Sequence, residues 1–92
     1  MQTKLTQLLN IDFPLIMAPM FLVSNEAMVK AGMQAGIAAT FPSLNYRDEG
    51  ELEQILDALN QEKVKLNKGS YGINLIVQKT NPLYEKHLKI CV

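Results

Sequence analysis

The sequence predicts an α/β fold with a parallel sheet, and three observations carry that expectation. Short apolar runs recur, each bounded by residues that break regular structure. Stretches with apolar side chains at helical spacing lie between them. The two kinds of segment alternate along all 92 residues, the pattern that βαβ units with right-handed crossovers leave in a sequence.

In chain order, MQTKLTQLLN reads as an opening helix, with Gln7 and Asn10 and no small-residue cleavage site of the secretory kind. Leu15-Ile16-Met17-Ala18 lies between Pro14 and Pro19. Ile37-Ala38-Ala39-Thr40-Phe41 lies between Gly36 and Pro42, and Tyr71-Gly72-Ile73-Asn74-Leu75-Ile76-Val77 follows Lys68-Gly69-Ser70. Runs this short and continuously apolar predict strands buried on both faces, at 15–18, 37–41 and 71–77. Their ends, Ala18, Phe41 and Val77, are expected along one common edge.

Between the first two strands, Ser24 is expected to cap a helix whose inner face is Met28, Ala31, Gly32 and Ala35. Asp48, Glu49, Glu51 and Glu53 load the start of the next helix, where the dipole favours negative charge. Its apolar stripe is Leu52, Ile55, Leu56 and Leu59, and Lys63, Lys65 and Lys68 stand at its far end. After the third strand, Asn81-Pro82 reads as cap and first-turn proline. Tyr84, Leu88, Cys91 and Val92 then form a last helical stripe. Strands of this length suit a barrel or a doubly wound sheet equally well.

Composition removes several classes of function. Nine Lys and Arg balance nine Asp and Glu, so there is no basic footprint for nucleic acid or an anionic membrane. No apolar run approaches the ~20 residues of a spanning helix. The single cysteine, Cys91, excludes an internal disulfide framework and a cysteine-based zinc cluster, and the expected setting is reducing and cytoplasmic.

In either parallel architecture, ligands bind beyond the carboxyl ends of the strands. Ala18-Pro19-Met20-Phe21, Phe41-Pro42-Ser43 and Gln78-Lys79-Thr80-Asn81 take those positions. Pro19 ends the ladder, Ala18 leaves the main chain open to a flat ligand, and Met20 is a polarizable partner for a ring or a core residue. Asn74 is the one strongly polar side chain in its strand, and its amide needs either a structural partner or a ligand. His87 is expected mid-helix, partly exposed and away from the strand ends. Cys91 is expected as a small buried hydrophobe. Ala31-Gly32-Met33-Gln34-Ala35-Gly36 is not a phosphate-cradling loop, since it lacks the GxGxxG spacing and precedes a strand.

Asp12-Phe13-Pro14-Leu15-Ile16-Met17-Ala18-Pro19-Met20, Ser24, Lys30-Ala31-Gly32 and Gly36-Ile37-Ala38 together resemble the opening of the nitronate monooxygenase family, formerly the 2-nitropropane dioxygenases. Tyr71-Gly72-Ile73-Asn74-Leu75 is similar to that family's third-strand G-[VI]-N-L motif, and the likeness keeps its order through essentially all 92 residues. The resemblance implies an FMN-binding TIM barrel acting as an oxidoreductase on a small molecule. The chain would hold about three of the eight βα units of that single domain, truncated at its C-terminus. It also implies that the main chain of Ala18, Pro19 and Met20 lies against the flavin ring and that Asn74 hydrogen-bonds the cofactor. The family's catalytic histidine and phosphate-binding loops are expected beyond Val92, so this stretch alone is expected to be inactive. Oxidation of alkyl nitronates with O2 is the reaction implied. FMN-dependent enoyl-acyl-carrier-protein reductases share the same opening, and Gln34-Ala35-Gly36-Ile37 and Phe21-Leu22-Val23 depart from the commoner family pattern. A small βαβ interaction module using its open sheet edges is the non-enzymatic alternative.

Overall fold

A computed structural model describes residues 2–92. Helix α1, Lys4–Leu9, opens on a reciprocal cap: Thr6 N–H donates to Thr3 Oγ1 (3.1 Å) and Thr3 N–H to Thr6 Oγ1 (2.8 Å). These side chains satisfy amides that no helical carbonyl reaches. Then follow strand β1 (Ile16–Met17), helix α2 (Glu26–Gln34), strand β2 (Ala38–Pro42), helix α3 (Glu51–Leu66), strand β3 (Ser70–Asn74) and helix α4 (Tyr84–Cys91). A 3-10 turn, Ser43–Asn45, follows β2 directly.

The strands form one parallel sheet in the order β1-β2-β3. Ile16 lies opposite Ala38 and Met17 opposite Ala39, while β2 and β3 pair from Ala38 and Ser70 to Pro42 and Asn74. The expected alternation and parallel pairing are therefore present. The strand ends differ from expectation. Pro42 has no N–H with which to extend the ladder, so β3 stops opposite it at Asn74, and Leu75–Val77 continue as loop. The ends at the carboxyl edge are thus Met17, Pro42 and Asn74, and Val77 lies beyond the sheet. Burial on both faces holds only for the central strand β2, because β1 and β3 each have one open side.

Alternation along the strands divides the sheet into two unlike faces. Ala39 and Phe41 of β2 pack against Val29 and Met33 of α2 and Leu52, Ile55 and Leu59 of α3, with Met17, Tyr71 and Ile73 beside them. Ile90 and Cys91 of α4 join the same cluster. By register the opposite face carries Ile16, Ala38, Thr40, Gly72 and Asn74, none of which belongs to that core.

The α3 stripe buries as the spacing predicts: Leu52, Ile55 and Leu59 are buried and Leu56 half-buried, with the acidic first turn and basic last turn in place. In α2 the prediction shifts. The cap is Asn25, whose Oδ1 accepts the Met28 N–H (2.9 Å), and the buried side is Val29, Gly32 and Met33. Met28, Ala31 and Ala35 are exposed, because the neighbouring stripe through Gly32 offers the bulkier Val29 and Met33 to the core. Gly32 lets α2 approach β2 closely, since a Cβ there would stand 2.8 Å from Ala39 Cβ.

Asn81 does not cap α4, which begins at Tyr84. It closes the preceding turn, donating from Nδ2 to the Ile76 carbonyl (2.7 Å) and accepting the Leu83 N–H (3.1 Å). Of the expected α4 stripe, Leu88 and Val92 are exposed, and the turn of the helix brings His87 inward instead.

The amino edge of the sheet is tied down by the segment after α1. Asp12 and Phe13 N–H both donate to the Gly36 carbonyl (2.7 and 3.1 Å), Gly69 N–H donates to the Asn10 carbonyl (2.8 Å), and Lys68 pairs with Asp12 at 2.7 Å. Gly36 has φ 84°, and a Cβ there would meet Asp12 Oδ2 at 2.5 Å. Gly36→Ala is expected to lower stability by about 1–2 kcal/mol from the left-handed backbone alone. Urea unfolding of the two proteins measures it, and an unchanged midpoint would show that position 36 is not held in the left-handed conformation.

Candidate functional site

Three connections leave the carboxyl edge of the sheet, as the parallel topology requires. The first begins where β1 ends. Thr40 donates its hydroxyl to the Met17 carbonyl, closing the ladder at the point where Pro19 prevents continuation. Ala18, Pro19 and Met20 then turn outward and are all exposed, Met20 at 54%. Ser24, buried at 2% exposure, shapes this turn: its Oγ accepts the Met20 N–H (2.8 Å) and donates to the Ala18 carbonyl (3.3 Å). Ser24 is therefore a loop tie and not the cap the sequence suggested.

Asn74 is the last residue of β3 and lies opposite Pro42. Its side chain is exposed and has no hydrogen-bond partner among the described residues. The expectation of a buried amide in an apolar strand is corrected here: Asn74 ends its strand on the face turned away from the core cluster and is exposed. The amide stands free at the same edge from which Ala18-Pro19-Met20 departs.

The third connection holds a pair that sequence reasoning did not find. His87 is 3% exposed, and its Nδ1 lies 2.9 Å from Oγ of the fully buried Ser43, the residue that follows β2. His87 was expected partly exposed and remote from the strand ends, and both points are corrected: α4 leans back over the end of β2. Burial lowers the His87 pKa, with the Lys86 charge adding to the effect, so the neutral ring is favoured. No carboxylate is hydrogen-bonded to the ring among the described residues, and Ser43 has no access to solvent. The pair works as a polar latch between α4 and the sheet. Nothing in the periodicity of 84–92 signals it, because its partner is forty-four residues away. Cys91, expected buried, is half-buried against the core, and burial raises its thiol pKa.

Two surface hollows lie elsewhere, along the second half of α3, with Asp57, Gln61 and Lys65 among their lining residues. That half of α3 returns toward the amino edge, away from Ala18 and Asn74. No group of three or more histidine, cysteine, aspartate and glutamate side chains is placed to hold a metal among the described residues. No helix among them is long and apolar enough to cross a membrane. Compared with known proteins, the chain matches no family model, no curated protein and no solved structure.

Proposed function

We propose that this chain is the N-terminal part of an FMN-dependent oxidoreductase of TIM-barrel fold, one that oxidises alkyl nitronates with O2. The observation that carries the reading is the juxtaposition at one sheet edge. The exposed Ala18-Pro19-Met20 turn leaves β1, and the unpartnered amide of Asn74 ends β3, two strand spacings or roughly 10 Å away. The order β1-β2-β3, with α2, α3 and α4 packed on one face, supports a barrel over a doubly wound sheet, which carries helices on both faces. Exposed Leu15, Ile16, Phe21 and Leu22 along β1 and its loop are the surface that further strands of a barrel would cover.

The residues present fit the ring of a flavin and not its phosphate. Ala18 and Pro19 supply a flat wall with little side chain in the way, and the Asn74 amide both donates and accepts, as the polar edge of the ring requires. Bound FMN supplies the electron transfer that none of these side chains can perform. Ser24 keeps the Met20 N–H and the Ala18 carbonyl engaged, so the turn keeps its shape with or without a ligand.

Fluorescence titration of FMN against the full-length protein tests the reading. Asn74→Ala is expected to weaken FMN binding several- to tens-fold, about 1–2 kcal/mol for one neutral hydrogen bond. Because Asn74 is exposed, its loss leaves the fold intact. Equal affinities would remove Asn74 from the cofactor site. Absence of FMN binding by the wild type would favour the second reading, a βαβ interaction module, which the open β1 edge with Leu15 and Ile16 exposed also supports.

A further inference from the structure

The turn that follows β2 grips the loop that follows β1. Leu22 N–H donates to Asn45 Oδ1 (2.8 Å), and Asn45 Nδ2 donates to the Ser24 carbonyl (3.0 Å). Arg47, whose Nε donates to the Leu44 carbonyl (3.1 Å), lies 5.7 Å from the centroid of the Phe21 ring. Leu22 has φ 65°, a left-handed conformation that a leucine holds only where its surroundings impose it. One asparagine thus uses both ends of its amide on the backbone of a single loop. The Ser24 hydroxyl passes that constraint on to Met20 and Ala18. With its backbone groups at Met20, Leu22 and Ser24 engaged inward, the loop presents Met20, Phe21, Leu22 and Val23 outward, each about half exposed or more.

We infer that Asn45 is a positioning residue for the Ala18–Met20 wall, acting through Leu22 and Ser24 without touching the ligand itself. The inference rests on the FMN reading above. Its physical basis is preorganisation: a loop already held in its binding shape does not lose further freedom when the ring arrives. Without Asn45, Leu22 relaxes out of its left-handed conformation, and the cost of ordering the turn is moved into the binding step.

The test uses the full-length protein and its Asn45→Ala, Asn45→Asp and Ser24→Ala variants. Amide exchange at Leu22 reports the loop, FMN titration reports affinity, and visible circular dichroism of the bound flavin reports the surroundings of the ring. Asn45→Ala is expected to speed Leu22 exchange and weaken FMN binding about five- to tenfold, the scale of one or two hydrogen bonds, with an altered flavin signal. Asn45→Asp keeps the acceptor for Leu22 N–H and should restore part of both the protection and the affinity. Ser24→Ala should reproduce the affinity loss by breaking the relay at its second step. Unchanged Leu22 exchange in Asn45→Ala would overturn the inference. So would faster exchange with FMN affinity and flavin signal unchanged, and in that case the FMN reading would stand. A wild type that binds no FMN would overturn both, and it is distinguished from the other outcomes before any variant is made.

Discussion

Phe41→Ala is expected to remove about 3–5 kcal/mol of stability, a large share of the ~5–15 kcal/mol by which folded proteins are stable. Phe41 is completely buried on β2, which among the described residues is the only strand with a neighbour on each side. It packs with Val29 and Met33 from α2 and with Leu52, Ile55 and Leu59 from α3, and its ring meets Tyr46 edge-on with centroids 5.7 Å apart. Truncation leaves a cavity bordered by three elements that cannot close over it together. Urea unfolding followed by circular dichroism should show the midpoint falling by about 2 M, since a chain this size loses roughly 1–2 kcal/mol per molar urea. A loss below ~1 kcal/mol would mean that the core repacks around the gap, and that β2 is not its centre.

The second large effect concerns Ser43 and His87. Ser43→Ala is expected to cost about 1–3 kcal/mol, because it leaves a ring nitrogen buried without a partner. Burial of His87, with the Lys86 charge beside it, also makes stability depend on pH. The folded state holds His87 below its ordinary pKa of 6.5, so the unfolded chain takes up the proton first as pH falls. The stabilisation is complete above about pH 6.5 and is lost as pH falls from there through the lowered folded value. One proton sets a ceiling of about 1.4 kcal/mol per pH unit on the slope. Unfolding midpoints measured in steps from about pH 7.5 to pH 5.5 stay clear of most carboxylates. His87→Asn, which keeps a hydrogen-bonding group near the Nδ1 position but does not titrate, should flatten the curve in that window. An identical slope in the variant would show that another group controls the acid limb.

The sequence was readable where a local pattern suffices to define a structure. The apolar stripe of α3 has the charges of a helix at both ends, and Leu52, Ile55 and Leu59 bury as spaced. The parallel order of strands follows from breaker-bounded runs separated by helices, because crossover geometry leaves few other arrangements. In α2 two adjacent stripes share Gly32, and the spacing points to the Met28 stripe where the structure buries Val29 and Met33. The volume available against Ala39 and Phe41 made that choice.

The candidate site divides in the same way. Ala18, Pro19, Met20 and Asn74 stand out in one dimension, through a proline that ends a strand and an amide that interrupts an apolar run. Their presence at the same edge follows from parallel pairing. The exposure of Asn74, the role of Ser24 as a loop tie, the grip of Asn45 on Leu22 and Ser24, and the burial of His87 on Ser43 were decided only by tertiary structure. Each depends on a hydrogen bond or an uncovered face between elements far apart in the chain. Sequence by itself determined the alternation of elements and the parallel sheet, since backbone and periodicity dictate these locally; where each strand ends at the carboxyl edge was decided by the pairing of β3 against Pro42. Which polar groups meet across that edge was left to the packing of α4 and the loops, because a side-chain hydrogen bond depends on the three-dimensional separation of its partners, and no local pattern encodes that distance.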